Sequence, residues 1–424
     1  MKRIVSLGFA LIIISIQGFC IKSGTTETDR DKLQTLRDAV RTNLTDNILP
    51  YWMNRMTDRV NGGFYGRIDA SEKVYPDAEK GGILNARILW TFSSAFRVLQ
   101  NPEYLETATR ARDYILKYFI DNEHGGTYRS LNPTGEPSDT RKQIYSQAFF
   151  VYALAEYSRA TGDREALSKA REIFECIEEH AFDKEYNGYF EVFDREWNRM
   201  RDRLIGESSD EVEKTMNTHL HIMEAYANLY RVWPEERMAE RLRNLVEIFL
   251  DEITDQKTYH LICFQDRNWN TVGAIDSYGH DIEASWLLYE AAHLLGDPGL
   301  IARVKEVSVK IANAAAEGLM PDGSMLTEKD NSTGHVSTRR SWWEQAETVV
   351  GYLNAYELTG SEAYLANVMN SWNYIDGHFV DHKNGGWFSY VSESGEPGRG
   401  DKAGFWICPY HNGRMCLEVI ERIK

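Results

Sequence analysis

Three stretches of the sequence place histidines near acidic or basic groups at helical spacing. They are NTHLHIMEAY at residues 217–226, YGHDIEASW at 278–286 and PYHNGRMCLE at 409–418. A histidine beside a carboxylate is an acid–base group that titrates near neutral pH. The chemistry that such groups can perform depends on which of the side chains point the same way.

In the first stretch, the two histidines point apart. A helix turns about 100° per residue, so His219 and His221 lie on opposite sides and cannot bind one metal ion from a regular helix. Asn217, His221 and Glu224 lie within about 60° of one another and form one polar stripe. The pattern predicts that His221 handles protons or contacts a ligand, and that His219 is a structural residue of the core.

Comparable groups recur near the starts of other helical segments. His280 and Glu283 are three residues apart, and Trp343 and Glu347 are four apart. Burying many polar groups costs free energy unless they are paired or used. Each residue alone could be a paired structural group, but the set together predicts one site. Its members on helices are Arg87, Tyr145, Asn217, His221, His280, Glu283, Trp343, Glu347 and His411.

This set of residues favours proton abstraction next to a carbonyl group. Two histidines would act as acid and base, and Arg87 would stabilise the developing oxyanion. Trp343 and Trp406 are suited to stacking on the apolar C–H faces of sugar rings. The carboxylates accompany histidines or a tryptophan, whereas an inverting glycosidase needs two carboxylates facing each other across a glycosidic bond.

Two kinds of helical segment alternate along the chain, and there are six of each. One kind is amphipathic with a charged face, as in PGLIARVKEVSVKIANAAAEGL; the other is richer in aromatic and small residues, as in KQIYSQAFFVYALAEYS. Repeats that cannot bury their own apolar faces must stack on their neighbours. This pattern predicts an all-α fold, an (α/α)6 barrel made of a toroid of six helical hairpins, in preference to an open solenoid. Glycine-rich loops such as NGGFYGR and NGGWFSY predict short β-turn excursions.

Composition and the N-terminus bound the function further. The 424 residues carry a net charge of -16, which argues against nucleic acid as a partner. Lys2 and Arg3 precede a short apolar run, which predicts a signal peptide over residues 1–24 and an exported protein, periplasmic or lipid-anchored at Cys20. We expect one catalytic domain over residues 30–424, with no membrane insertion, and a monomer. The spacing of the five cysteines excludes a dense disulfide framework and leaves a Cys408–Cys416 bond open.

The segments NTHLHIMEAYANLYR, YGHDIEASWLL, RSWWEQAE and CPYHNGRMCLE resemble the cellobiose 2-epimerases, a branch of the N-acylglucosamine 2-epimerase superfamily. The resemblance runs from ILPYW to the C-terminus, in the family's order and spacing. It implies an (α/α)6 barrel that needs no metal or organic cofactor. It also implies inversion of C2 in the reducing-end sugar of β-1,4-linked disaccharides, such as cellobiose or mannobiose, through ring opening and a cis-enediolate.

The resemblance also implies a role for each site residue. His280 and His411 correspond to the acid–base pair, and His221 to a third essential histidine. The residues implied to contact the substrate are Arg87, Tyr145, Asn217, Glu283, Trp343, Glu347 and Trp406. Among these, Glu283 is expected to orient His280, and Glu347 to support the site near Trp343.

Four alternatives remain open from the sequence. A sugar aldose–ketose isomerase would share the enediolate but return the proton to C1. An N-acylglucosamine 2-epimerase would act on a different sugar. An (α/α)6 glycoside hydrolase would need the facing carboxylates described above, and a sugar-binding protein without catalytic activity would need no histidines. Which disaccharide is the natural substrate, and which histidine acts first in each direction, also stay open.

Overall fold

The computed structural model describes residues 27–200 and 211–424, and its framework is helical. In chain order the helices are α1 (Glu27–Thr42), α2 (Leu49–Arg55), α3 (Gly82–Leu99), α4 (Pro102–Tyr114), α5 (Ile144–Thr161), α6 (Arg164–His180), α7 (Met216–Val232), α8 (Glu236–Ile248), α9 (Tyr278–Leu295), α10 (Pro298–Ala315), α11 (Trp342–Thr359), α12 (Glu362–His378) and α13 (Tyr410–Arg422). A π-helical turn at Asn43–Ile48 joins α1 to α2, and further π-helical turns extend α4 (Ile115–Phe119) and α8 (Phe249–Ile253).

The helices alternate between two kinds, as predicted. Helix α1 exposes a charged face and buries Leu33, Leu36 and Val40 on one side. Helix α5, in contrast, is buried without interruption from Ile144 to Ser158. A helix that is buried all round must lie inside a layer of other helices, and α3, α7, α9, α11 and α13 share this character.

The inner helices form a closed ring. Helix α3 packs against α5, and the contacts continue through α7, α9, α11 and α13, which packs back against α3. Helices α4, α6, α8, α10 and α12 each pack outside the inner helix that precedes them, and α1 packs against α13. The contact between α13 and α3 distinguishes a ring from an open solenoid, so the predicted (α/α)6 barrel is confirmed.

The turn from an inner to an outer helix is encoded locally. Helix α5 ends at Gly162, whose φ of 77° suits glycine because it has no Cβ. The next residue, Asp163, caps α6 by accepting a hydrogen bond from the backbone N–H of Ala166 at 2.9 Å. The same Gly-Asp pair, at 296–297, ends α9 and caps α10.

Short antiparallel strands lie at the other end of the inner helices, which confirms the predicted β-turn excursions. Each inner helix from α3 to α11 begins directly after one of these strands, so the sheets set where its first turn lies. The strands are β1 (Lys80–Gly81), β2 (Ser130–Leu131), β3 (Pro137–Asp139), β4 (Lys142–Gln143), β5 (Val192–Phe193), β6 (Lys214–Thr215), β7 (Phe264–Gln265), β8 (Ile275–Ser277), β9 (Glu328–Asp330), β10 (His335–Val336), β11 (Arg340–Ser341) and β12 (Tyr390–Val391).

Buried lysine–aspartate joints attach these loops to the barrel. Lys142 of β4 donates to Asp121 Oδ2 and to the carbonyl oxygen of Gly125, both at 2.8 Å. The ammonium group thereby satisfies a buried carboxylate and a buried carbonyl at once, as burial of charge requires. The same joint recurs in three other repeats, formed by Lys80 with Asp58, Lys214 with Asp183 and Lys402 with Asp381.

The predictions on membrane insertion, the cysteines and the N-terminal segment have different outcomes. Within the described part of the chain, no helix has the length and apolar character that crossing a membrane requires. Cys408 and Cys416 are both free thiols, so the disulfide left open by their spacing is not formed. The signal peptide predicted for residues 1–24, and Cys20 within it, lie outside the described residues and stay predictions.

Candidate active site

The candidate residues on the inner helices lie in the first two turns of those helices. Arg87 and His221 are each the sixth residue of their helix, and Tyr145 and His411 are each the second. Because ring closure brings the starts of the six inner helices together at one end of the barrel, these residues converge, as predicted. Arg87, Tyr145, His221 and His411 are all buried, with 3–5% of their surface exposed.

His221 and Glu224 form the polar stripe predicted for α7. His221 Nδ1 lies 2.9 Å from Glu224 Oε2. Although burial opposes ionisation, the charge of Arg414 and the bond from His221 lower the pKa of Glu224 to about 2, so this carboxylate can only accept. Nδ1 therefore carries the proton, which leaves Nε2 of His221 as the nitrogen able to accept one.

His219 is a structural residue, as predicted. Its Nδ1 donates to the carbonyl oxygen of Thr215 at 2.7 Å, and its Nε2 accepts from the backbone N–H of Tyr189 at 2.9 Å. The side chain is completely buried. Gln147 and Gln345 occupy the same position in their repeats and likewise accept from a loop N–H at 2.8 Å. The position therefore attaches a loop to an inner helix.

His411 is oriented by a carboxylate from the neighbouring helix. Its Nδ1 donates to Glu347 Oε1 at 2.7 Å, and Glu347 Oε2 accepts from the indole N–H of Trp286 at 3.1 Å. These bonds fix the imidazole and again leave Nε2 free. Glu347 was expected to support the site near Trp343. It does so by holding His411, whose ring centroid lies 5.7 Å from that of Trp343.

His280 has a different partner from the one expected. Its Nδ1 forms a hydrogen bond of 2.7 Å with Ser277 Oγ, at the residue just before α9. Glu283, expected to orient His280, instead accepts from Arg414 Nη2 at 2.5 Å and lies 3.9 Å from His411 Nδ1. The expected orienting role was therefore wrong. The i, i+3 spacing places Glu283 on the correct face, but the cation from α13 draws its carboxylate across the barrel.

Arg414 is the hub of the buried charges and was not among the predicted site residues. Its guanidinium donates to Glu224 and Tyr410, and also to Glu283 and Glu347. It thereby connects the carboxylate partner of His221 with that of His411. Burial, and next the charge of Glu347, raises the pKa of Glu283 above its usual range, while Arg414 opposes that rise.

Arg87 and Tyr145 form the opposite side of the site. Arg87 Nη2 donates to the Tyr145 hydroxyl at 2.7 Å, and Nη1 donates to the carbonyl oxygen of Trp406 at 3.4 Å. The Tyr145 ring lies 4.9 Å from that of His221 and 5.8 Å from that of Trp406. A buried cation at this position can stabilise an oxyanion that forms beside His221.

Aromatic rings complete the site. Trp343 lies 4.7 Å from His280 and 5.7 Å from His411, so one indole contacts both histidines. Trp406 is 39% exposed, as a residue at the entrance would be. Asn217 is partly buried, and its side-chain oxygen has no hydrogen-bond partner among the described residues, so it can accept a bond from a ligand hydroxyl.

The three site histidines are neutral in the resting protein. Burial lowers the pKa of His280 to about 3. Burial, together with the charges of Arg87 and Arg414, lowers the pKa of His411 well below its usual value. Burial also lowers the pKa of His221, although the bond with Glu224 partly opposes this. Each histidine is therefore available as a base at neutral pH.

One group of residues has ligand spacing that a metal ion would require. The ligand atoms of Glu283, Glu347 and His411 lie within 4.8 Å of one another. Arg414 donates to both carboxylates, so its guanidinium already supplies the positive charge between them. The residues present therefore form a carboxylate–arginine cluster, and the expectation of no metal cofactor stays a prediction.

Sequence reasoning missed several partners of the site residues. Ser277 bonds His280, Tyr410 bonds Glu224, and Phe149 lies 4.9 Å from the His221 ring. Tyr410 is adjacent to His411 in the sequence, and Phe149 is one turn after Tyr145, so helical spacing was the signal available for both. The spacing of His411 and Arg414 was likewise visible, but the partners of Arg414 lie on three other helices.

Comparisons with known proteins agree with this geometry. The sequence profile of the N-acylglucosamine 2-epimerase (GlcNAc 2-epimerase) family matches residues 63–412. A cellobiose 2-epimerase from Bacteroides fragilis is 51% identical over 388 residues, which cover 91% of this chain and 99% of that protein. The profile therefore spans most of the chain, including all of the candidate residues.

Solved structures show the same architecture. The cellobiose 2-epimerase from Bacillus thermoamylovorans B4167 superimposes with a TM-score of 0.88 at 40% identity, covering 92% of this chain and 100% of that one. A D-mannose isomerase superimposes with a TM-score of 0.78 at 16% identity, covering 94% and 99%. The second likeness extends to the fold alone.

Proposed function

The chain belongs to the N-acylglucosamine 2-epimerase family, and from that premise we propose that it is a 2-epimerase of β-1,4-linked disaccharides. It inverts C2 of the reducing-end sugar, converting cellobiose to glucosyl-mannose and mannobiose to mannosyl-glucose. The observation that carries this proposal is the placement of His280 and His411, which come from two helices and contact the same indole of Trp343. The 51% identity to a cellobiose 2-epimerase supports the same substrate class.

The reaction begins by opening the sugar ring, which makes C1 a carbonyl and the C2 proton acidic. A neutral histidine then removes that proton and becomes an imidazolium ion. The electrons move into a cis-enediolate, whose negative charge is stabilised by Arg87 with the Tyr145 hydroxyl. Neutral resting histidines suit this step because only the unprotonated form can accept the proton.

Inversion requires the proton to return on the opposite face of C2. Two bases on opposite faces achieve this, and His280 and His411 are suited to that role because they extend from separate helices. Because both histidines rest neutral, the donating histidine takes up a proton from solvent before it delivers one to C2 and ends neutral, while the histidine that removed the C2 proton returns it to solvent. The pair exchanges roles with the direction of reaction. Trp343 and Trp406 stack on the two sugar rings, and Asn217 accepts a bond from a sugar hydroxyl.

Specific features disfavour the alternatives. A glycoside hydrolase needs one carboxylic acid and one carboxylate facing the glycosidic bond. Glu283 and Glu347 instead both bind Arg414, each with 1% of its side chain exposed. A sugar-binding protein would need no histidines with a free Nε2. An aldose–ketose isomerase and an N-acylglucosamine 2-epimerase would use the same groups and are separated only by experiment.

The test is incubation of the protein with cellobiose, mannobiose, free mannose and N-acetylglucosamine in heavy water. We expect deuterium at C2 of the reducing-end sugar of the disaccharides and a new epimer by NMR. Deuterium at C1 of a ketose would indicate an isomerase, and release of monosaccharides would indicate a hydrolase. Preincubation with EDTA should leave the rate unchanged, and a loss restored by added metal would contradict the absence of a cofactor.

A further inference from the structure

The fourth repeat of the barrel is built differently from its neighbours at the entry to α9. In the loops before five of the six inner helices, all except α11, an aspartate N–H bonds the carbonyl oxygen of the residue five positions later. That residue is glycine in four repeats, at positions 63, 126, 188 and 386, and it is His260 in the fourth repeat. A histidine here places a titratable ring where those four loops have no side chain.

The same repeat also differs from its neighbours at a second position. The strand before α9 carries Asp276 at the position where Lys80, Lys142 and Lys214 precede their helices. The buried ammonium group that joins the loop to the helix in those repeats is therefore replaced by a carboxylate. His260 is the group that can supply positive charge to the joint of the fourth repeat in its place.

The contacts of His260 lead directly to the start of α9. Its Nδ1 lies 2.7 Å from Asp281 Oδ2, and both side chains are buried. Asp281 Oδ1 also accepts from the backbone N–H of Leu261 at 2.8 Å. Asp281 occupies the same position in its repeat as Gln147 and His219, which attach their loops to their helices.

The residue attached in this way is adjacent to a site histidine. Asp281 is the fourth residue of α9, and His280, the third, points about 100° around the helix from it, toward the indole of Trp343 in the site. Any movement of the first turn of α9 relative to its loop therefore moves the His280 imidazole. Asp281, which binds the loop, and His280, which faces the site, belong to the same helical turn.

We propose that His260 is a positioning residue for His280. As an imidazolium ion it holds the first turn of α9 through Asp281, and as a neutral imidazole it loosens that turn when the solution becomes alkaline. The link to catalysis rests on the function proposed above. The loosening of the first turn of α9 is independent of that function, because it involves only the loop and the helix.

Both members of the pair bind protons more tightly in the folded protein. Burial alone would lower the pKa of His260, but the hydrogen bond and charge of Asp281 outweigh it and raise that pKa. Burial raises the pKa of Asp281 to about 6 in spite of His260. A group with a raised pKa contributes stability that is complete below its unfolded pKa and is lost as the pH rises through its folded value. The joint therefore weakens toward alkaline pH.

Other charged groups around His260 act in the same direction. Glu317, in the turn after α10, has its carboxylate 3.7 Å from His260 Nε2, and Asp276 of β8 adds further negative charge. The ring of Tyr278 lies 6.0 Å away. A cavity of about 180 Å³ beside the ring is lined by His260, Asp255, Cys263 and Asp276.

The experiment measures amide hydrogen exchange of the full-length protein between pH 5.5 and 9. We compare protection of the first turn of α9, residues 278–283, with that of α5, residues 144–149. The first turn of α5 is the internal control because Gln147 does not titrate. We expect protection of α9 relative to α5 to fall about tenfold across this range, which is equivalent to about 1.4 kcal/mol.

Two variants separate His260 from other groups that titrate in this range. Glu317→Gln changes a largely exposed residue and should move the transition to lower pH, because it removes a charge that favours the imidazolium ion. His260→Gln should remove the transition and leave α9 weakly protected at every pH. A constant ratio in the unmodified protein, or an unchanged transition in both variants, would overturn the proposal.

The pH profile of kcat tests the connection to His280. In the unmodified protein, activity should decline on the alkaline side together with α9 protection. In Glu317→Gln that decline should begin at lower pH, while kcat near pH 6 stays within about twofold. A shift in exchange without a shift in kcat would refute the positioning role, and absence of epimerase activity altogether would refute the proposed function instead.

Discussion

Burial sets the charge of each site histidine, and its hydrogen-bond partners decide what that histidine does. His280 and His411 are neutral bases because burial destabilises their charged forms, and Nε2 is the free nitrogen of His411 because Glu347 binds Nδ1. His219 is completely buried, yet both its nitrogens bond main-chain groups. The same residue type, two positions from His221, is therefore structural. At this scale the function of a histidine follows from its hydrogen-bond partners.

We predict that His219→Gln preserves both stability and activity, because Gln147 and Gln345 perform the same attachment in other repeats. His219→Ala should lower the free energy of unfolding by about 1–3 kcal/mol, the cost of a buried N–H left unpaired. His221→Gln is the matched variant and should lose activity at nearly normal stability. Thermal unfolding and an epimerase assay on the three variants test this, and a stable but inactive His219→Gln would contradict it.

The acid side of the pH profile follows from the lowered pKa values. Only a neutral histidine can remove the C2 proton, and the pKa of His280 is about 3 in the free protein. As the pH falls through 6.5 these histidines therefore stay neutral, and kcat/KM should be retained to about pH 5. A profile of kcat/KM against pH on cellobiose measures this. An acid limb centred at 6.5 would show that the base titrates as an exposed histidine does.

At the scale of elements, buried polar and charged contacts fix how the loops and the inner helices are joined. Short strands and buried lysine–aspartate pairs attach the loops of four repeats to the barrel. In the repeat that contains α9, the pair of His260 and Asp281 takes the place of the lysine–aspartate pair. Across the interior, Arg414 of α13 binds carboxylates from α7, α9 and α11. One side chain therefore ties four of the six inner helices together.

Removing the guanidinium of Arg414 should strongly destabilise the fold. We predict that Arg414→Met lowers the free energy of unfolding by about 3–5 kcal/mol, because it leaves buried carboxylates without their cation. The loss should be smaller at pH 5 than at pH 8, since protonation then neutralises the carboxylates. Chemical denaturation at both pH values measures this.

Arg237→Met is the matched control for Arg414→Met. Arg237 forms a half-exposed ion pair with Glu175, and such surface pairs contribute about 1 kcal/mol or less. An equal loss of stability in both variants would refute the hub role of Arg414.

At the scale of the whole molecule, ring closure creates the site. The described helices reach from residue 27 to residue 422, and the contact of α13 with α3 brings the two ends of the barrel together. That contact places His411 and Arg414, near the C-terminus, beside Arg87 and Tyr145, near the start of the ring. The site therefore depends on all six repeats, and no single hairpin contains it.

The sequence by itself was sufficient for features that depend on local geometry. Apolar periodicity predicted twelve alternating helical segments and a ring of hairpins, since burial pattern follows from helical spacing. The turn of about 100° per residue separated His221 from His219 and joined it to Glu224. The helix assignments and the separation of His221 from His219 held because each involves residues of the same helix, whereas closure of the ring depends on the contact of α13 with α3.

Only the tertiary structure decided which groups meet across the barrel. Glu347 orients His411 from the neighbouring helix, and Arg414 draws Glu283 away from His280, which bonds Ser277 instead. Periodicity reports the face on which a residue lies, but not the charge that approaches that face from another helix. The partners of buried charges depend on ring closure and on the low dielectric of the interior, which makes an unpaired charge costly.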